Sequence, residues 1–361
     1  MQSILTTFEV LMKKYQIIIY GSYGYTGELI VEESLSKNLS ILLTGRNEQR
    51  LKDQSEKTGY PFKAINLDNH AALVELLIEG EILINAAGPF KDTAPQMVEA
   101  CIEAKTQYLD INGDITVFEL IKTFDYKAKN AGVMLMPGTG FDVVPTDCMA
   151  VKLKNQMPDA TRLKIAFATI GGGVSHGTAT TVAGRMGEKS LRRVDGKLVP
   201  IAFGKNGMWL DFEEKKLFFM SIPWGDVSTA YVSTGIPNIE SFISVPPKVY
   251  KFLKFQVLIN WILRTKPVRK FIQKKIDSKP AGPNFDERKN AYTLVWAEVK
   301  NQKGETLEAR LQTPEGYGLT AEASLLITGK ILNGKFKSGF QTPAMVYGEN
   351  LIFEIEGVRE I

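Results

Sequence analysis

Gln16-Ile-Ile-Ile-Tyr-Gly-Ser-Tyr-Gly-Tyr-Thr-Gly-Glu-Leu-Ile30 is the stretch that decides the fold. The run Ile17–Ile19 is β-branched and suits a buried strand. Three glycines spaced by three follow it, Gly21, Gly24 and Gly27, and a helical pattern starts at Glu28. Strand, glycine turn and helix in that order make a phosphate-binding βα unit. The first glycine permits a turn that a β-carbon resists, and the second lets main-chain N–H groups approach a diphosphate. The third lets the helix pack close to the strand.

Working outward, residues 15–150 alternate strands with helices. Strands are predicted at Ser40–Thr44, Phe62–Leu67, Glu81–Ala87, Tyr108–Ile111 and Val133–Met136. Asp68 is able to cap a helix over His70–Ile78. Thr93 and Pro95 start another helix, and one more covers about 117–130. This alternation predicts an α/β fold, a Rossmann-type doubly wound parallel sheet with right-handed crossovers.

Beyond about residue 160 the texture changes. Leu163–Thr169, Leu217–Met220, Ala230–Ser233 and Phe242–Val245 read as strands. Tyr292–Lys300 and Thr306–Gln312 form a hairpin across Asn301-Gln-Lys-Gly304. The expectation is a nucleotide-binding domain over 1–150 and a second α+β domain over 151–361, mainly antiparallel, serving substrate and dimer contacts. The helix near 319–332 comes late enough in the chain to pack back on the first domain.

With 361 residues, 44% hydrophobic and 23% charged, the chain has ample material for a core. A net charge of +4 is too mild to argue for nucleic acid. Two cysteines and two histidines give no disulfide framework and no metal site. The N-terminus carries Glu9 inside a mixed stretch and Lys13-Lys14 at its end, unlike a signal peptide. No apolar run reaches the length of a membrane span. A cytoplasmic enzyme is expected.

Enzymes that prefer NAD place an acid at the end of the second strand, about 20 residues past the glycines, to accept from the ribose 2′-hydroxyl. Here Ile41-Leu-Leu-Thr-Gly-Arg46-Asn47 puts a base there. An arginine favours a 2′-phosphate and stacks on adenine, so NADP(H) is the expected cofactor. The alternative leaves Arg46 in solvent and gives the ribose to Glu48. At the fourth strand end, Asn85-Ala-Ala-Gly88-Pro89-Phe90 has small residues with room for the nicotinamide-side ribose.

These motifs resemble the saccharopine dehydrogenase-like oxidoreductases, including the trans-acting enoyl reductase branch. The resemblance is carried by Gly21-Ser-Tyr-Gly-Tyr-Thr-Gly27, Thr44-Gly-Arg-Asn47, Ala87-Gly-Pro-Phe90, Tyr108-Leu-Asp-Ile-Asn-Gly-Asp114 and Pro137-Gly-Thr-Gly-Phe-Asp-Val-Val-Pro-Thr-Asp147. It implies NADP(H) between a Rossmann domain and a mixed α/β domain. It implies cofactor contacts at Gly21, Tyr23, Gly24, Tyr25, Thr26, Gly27 and Arg46, and Ser22, Asn47 and Asp68 beside them are expected contacts too. The segment Ala86, Ala87, Gly88, Pro89 and Phe90 completes the set.

Hydride transfer needs a group that protonates or polarises the acceptor. Asp110, Asp114, Asp142 and Asp147 stand at or just past the C-terminal ends of the fifth and sixth strands, the edge that faces the ligand crevice. Asp147 also suits the first turn of a helix starting near Pro145. His176 lies in the glycine- and hydroxyl-rich run Gly171–Thr181 and has a proton to exchange near neutral pH. Asp142, Tyr108 and His176 are the catalytic candidates, with core packing the competing role for Tyr108.

Lys248–Ile276 carries nine Lys and Arg and no acid, interleaved with Phe252, Phe255, Trp261 and Phe271. Its apolar residues do not share one helical face, so a partly buried helix with solvated lysines competes with peripheral contact to an anionic membrane. The sequence therefore reads as a homodimeric NADPH-dependent reductase of a small or lipid-like metabolite. The alternative is an NADP(H)-binding redox sensor or scaffold without turnover.

Overall fold

The computed structural model describes residues 13–361 apart from 185, 186, 188, 213, 214, 255–259 and 264, and the side chains of 252 and 254. The readings of the first twelve residues, of Phe255 and of the Phe252 side chain lie outside the described set.

The first lobe runs β1 (Tyr15–Tyr20), α1 (Tyr25–Ser34), β2 (Ile41–Gly45), α2 (Glu48–Thr58), β3 (Phe62–Ala64), α3 (His70–Ile78) and β4 (Gly80–Asn85). It continues with α4 (Phe90–Ala104), β5 (Gln107–Asp110), α5 (Ile115–Lys122), α6 (Asp125–Ala131), β6 (Met134–Met136) and α7 (Val144–Gln156). The second lobe contains β7 (Arg162–Ile170), α8 (His176–Gly184), β8 (Ser190–Val194), β9 (Lys197–Ile201), β10 (Gly207–Phe212), β11 (Lys215–Ile222), α9 (Asp226–Thr234) and β12 (Asn238–Ser244). Then come α10 (Pro247–Lys254), α11 (Asn260–Leu263), α12 (Lys266–Asp277), α13 (Phe285–Lys289), β13 (Tyr292–Lys300) and β14 (Thr306–Pro314). The chain closes with α14 (Gly316–Leu332), β15 (Gly339–Phe340), α15 (Pro343–Tyr347) and β16 (Arg359–Glu360).

The first sheet has seven parallel strands in the order β15-β6-β5-β4-β1-β2-β3. β1 lies between β4 and β2, which explains its unbroken apolar run: a central parallel strand is buried on both faces. Ile17 and Ile19 point into the cluster holding Ile30 of α1 and Ile327 of α14, while Ile18 and Tyr20 point into the one holding Leu73 and Met97. The seventh strand, β15, comes from the far end of the chain and pairs with β6.

The second sheet orders β10-β11-β12-β7-β13-β14-β16, with β8 on β12 and β9 on β8. Its pairs are antiparallel except β12 with β7. α7 lies between the two sheets, its Cys148, Met149 and Leu153 buried in the same cluster as Val295 and Ala297 of β13. α14 packs along α1.

Two local expectations change. Ala230–Ser233, read as a strand, lies in α9, where Val227 and Ala230 are buried and Gly235 ends the helix with φ +68°. The single helix expected over 117–130 is two, α5 and α6, separated by residues 123 and 124.

Candidate functional site

Every strand of the first sheet from β1 to β6 delivers its following loop to one edge, so the site is built from strand ends. β1 stops at Tyr20 and the chain turns at Gly21, φ +80°, a conformation that strains residues with a β-carbon. The Gly21 N–H donates to Thr44 O at 2.8 Å and the Gly24 N–H to Gly21 O at 2.9 Å. A β-carbon on Gly21 would fall 2.8 Å from Ala87 Cβ, so this loop and the end of β4 are in contact. α1 then starts at Tyr25 with Gly24 at its N-cap, and among the described residues no side chain caps it. The first-turn N–H groups of α1 stay open at the positive end of the helix, an arrangement that fits a diphosphate.

Tyr23 reaches the end of β2, where its hydroxyl accepts the N–H groups of Arg46 and Asn47, each at 3.0 Å. Arg50 donates to Tyr23 O at 2.6 Å and its guanidinium lies 4.7 Å over the Tyr23 ring. Tyr23, Arg46, Asn47, Glu48 and Arg50 line an open hollow of about 580 Å³. Asn47 is also the N-cap of α2, accepting from Arg50 N–H. Two guanidinium groups in one hollow suit a 2′-phosphate. Arg50 was not singled out in the sequence, although it lies one helical turn beyond Arg46.

Two of the expected contacts stand apart from the hollow. The Ser22 side chain is fully buried and donates to Gln54 Oε1 at 2.8 Å, so it braces the loop from behind. Asp68 stays exposed beyond β3, and the cap of α3 is its neighbour Asn69, which accepts from Ala72 N–H. Past β4, Asn85 accepts the Ala87 N–H at 3.1 Å and donates to Thr93 at 3.1 Å, which fixes the partly open segment Ala86–Phe90. α4 begins at Phe90, ahead of the Thr93 and Pro95 start expected.

The acids separate by their partners. Asp110 is fully buried and accepts from Tyr108 Oη (2.7 Å), Asn112 Nδ2 (2.6 Å) and Gly138 N–H (2.9 Å). Tyr108 is itself fully buried and its hydroxyl donates to Asp110, so it braces the end of β5. Asp114 caps α5, accepting from Thr116 N–H. Asp147 accepts from the Ser233 hydroxyl and the Ala344 N–H, tying α7 to α9 and α15.

Asp142 differs. It is half-buried at the loop after β6, its carboxylate lies against Gly113, and among the described residues it meets no hydrogen-bond donor. Burial pushes its carboxyl up to about 7. His176 opens α8, but its Nε2 pairs with Asp277 Oδ1 of α12 at 2.9 Å. The imidazole thus links the two helices, with 42% of its side chain exposed.

The saccharopine dehydrogenase NADP binding domain family matches residues 17–136. Over that third of the chain the sequence is thus similar to an NADP-binding domain. Among curated relatives, the saccharopine dehydrogenase-like oxidoreductase of Rattus norvegicus is 27% identical over 208 residues, 50% of this chain and 48% of that one. The trans-acting enoyl reductase of Mycobacterium ulcerans is 27% identical over 143 residues, 37% of this chain and 34% of its own. The chain thus spans about half the length of the rat relative it matches. A solved saccharopine dehydrogenase (L-Glu forming) from Saccharomyces cerevisiae superposes with a TM-score of 0.66 at 11% identity, over 96% of this chain and all of that one. The second lobe therefore shares that fold as well.

The second lobe covers the NADP-binding domain at the glycine loop. Tyr25 donates to Pro283 O at 2.6 Å and its ring meets Tyr317 edge-on at 5.1 Å. Arg288 donates to Tyr25 Oη at 3.2 Å, and its Nε lies 3.7 Å from Glu315. Beside Asp142 the second lobe brings Trp224 and Asp226. Gly225 between them approaches Gly113 so closely that a β-carbon would lie 3.1 Å from its carbonyl. Asp226 is fully buried; one oxygen accepts from Thr146 and the other has no partner among the described residues, nor does Trp224 Nε1. Burial, with Asp147 and Asp142 nearby, holds the Asp226 carboxyl well above the ordinary range. Arg288, Trp224 and Asp226 were not foreseen, because only the tertiary fold brings them to this edge.

Replacing Arg46 or Arg50 by Ala should weaken NADPH binding about 10- to 100-fold, the worth of a charge-assisted bond. NADH binding should stay within about threefold, since neither guanidinium has a 2′-phosphate to meet there. Fluorescence titration with both nucleotides measures this, and an unchanged preference would assign the ribose to Glu48.

Proposed function

We propose that the chain is an NADPH-dependent oxidoreductase that reduces a C=C, C=N or C=O bond of a small or lipid-like metabolite between its lobes. The observation that carries the proposal is Asp142, a half-buried carboxyl that meets no donor among the described residues and stands on the same sheet edge as the glycine loop. The nicotinamide, when bound, supplies the hydride. This chain's residues supply the rest. The α1 N-terminus, Arg46 and Arg50 bind the diphosphate and 2′-phosphate. Asp142, whose carboxyl keeps its proton up to about pH 7, gives that proton to the acceptor atom left electron-rich by reduction, an oxygen, a nitrogen or a carbon. Asp226 holds a second proton behind it, and Trp224 Nε1, which has no partner among the described residues, offers a donor to a polar substrate group. Phe141, Phe167 and Trp224, with centroids 5.7 and 4.9 Å apart in sequence, form an aromatic wall that excludes water.

Similarity to the rat oxidoreductase and the mycobacterial enoyl reductase supports redox chemistry. A second reading, an NADP(H)-responsive sensor or scaffold, draws support from the acids: Asp110, Asp114 and Asp147 are all committed to structural bonds. NADPH consumption across a panel of enoyl thioesters, imines and carbonyls tests the choice. Turnover supports the reductase. Stoichiometric NADPH binding with no oxidation of any acceptor supports the sensor.

A further inference from the structure

α8 and α12 lie antiparallel. His176 meets Asp277, and four residues along each helix Gln273 Nε2 donates to Thr180 Oγ1 at 3.2 Å. The same register brings Val182 level with Phe271, and both stand in solvent, 58% and 60% exposed. α11 packs on α12 and adds Trp261 at 72%. The inward stripe of α12 is already filled by half-buried Val268, Ile272 and Ile276, so Phe271 belongs to a separate outer face. Lys270, Lys274 and Lys275 are exposed on that face, with Lys275 Nζ 4.9 Å from the Phe271 ring centroid.

Exposed Trp and Phe beside a block of cations need a partner that takes both. A second copy of the chain across a two-fold axis would set these lysines against their own copies. An anionic bilayer accepts aromatic rings at headgroup depth and lysines against its charge. We infer that α11, α12 and the adjoining end of α8 form a docking surface for an anionic lipid bilayer. This surface belongs to the covering lobe, so docking brings a lipid-like acceptor to the side from which the crevice is closed.

The test is cosedimentation of the full chain with vesicles of phosphatidylcholine alone or mixed with about 30% phosphatidylglycerol, at low and high salt. Binding should be about tenfold stronger to the anionic vesicles at low salt and fall as salt rises. W261A/F271A and K270E/K274E should each reduce it about tenfold or more, with circular dichroism unchanged. No binding at low salt, equal binding to neutral vesicles, or binding indifferent to both variants overturns the inference. So does a dimer in sedimentation velocity that W261A/F271A dissolves, which gives the face to a second copy. NADPH titration of the same variants should be unchanged, which keeps this result separate from the redox proposal on which the lipid-like acceptor rests.

Discussion

Gly24→Ala is expected to fold normally and to lose NADPH affinity about 30-fold or more, roughly 2 kcal/mol. Gly24 sits at the N-cap of α1 with φ −76° and ψ 161°, an extended conformation open to any residue. Its added β-carbon would meet only Gly21 O at 3.2 Å, a contact the loop can absorb. The methyl would instead occupy the approach of a diphosphate to the open N–H groups. Gly27→Ala should behave the other way. Its β-carbon would fall 2.2 Å from Gly21 O and 2.9 Å from Ser22 O, both main-chain atoms, so the loop itself must move. A stability loss of about 2–4 kcal/mol should follow, with binding lost as a consequence. Thermal melts and NADPH titrations on the two variants separate the roles. Gly24→Ala binding NADPH like the parent would remove the diphosphate from this loop.

Asp142→Asn should lower turnover about 10²- to 10⁴-fold, the usual worth of a general acid, and at the same time stabilise the protein above neutral pH. The sign follows from proton uptake. Folded, the carboxyl keeps its proton up to about 7, whereas unfolded it loses it near the ordinary 3.8. The folded state therefore binds more protons across that window, and stability from this group is full below it and falls as pH rises through it. Asn cannot ionise, so the variant should match the parent near pH 4 and exceed it by about 1–3 kcal/mol near pH 8. Parent turnover should fall above about pH 7 as the acid loses its proton. A side chain that costs stability yet is needed for rate is the mark of a functional position. Unaltered turnover with a flat pH profile would place the proton donor elsewhere, with Asp226 the next candidate.

The two halves of the molecule differ in how much of this was readable in the residues. β1, the glycine turn and α1 are local: a β-branched run, a positive φ at Gly21 and a helix start need only neighbours in sequence. The strand ends carrying Arg46, Ala86–Phe90 and Asp142 follow from the same alternation, because a parallel sheet sends all such loops to one edge. Side-chain direction was not readable there. Ser22 and Tyr108 lie at the right places in sequence but face the interior, and only the packing of Gln54 and Asp110 shows why. In the second lobe, Ala230–Ser233 has strand-like composition yet forms a helix because α7 and β12 offer it a packing surface. Contacts such as Arg288 to Tyr25 join residues far apart in the chain, and no local pattern announces them.

Isothermal titration of the full chain with NADPH and NADH tests the central claim most directly. The uncapped helix start and the Arg46–Arg50 hollow predict one NADPH per chain, bound at least about tenfold more tightly than NADH. Absence of heat with either nucleotide at millimolar concentration would contradict the account.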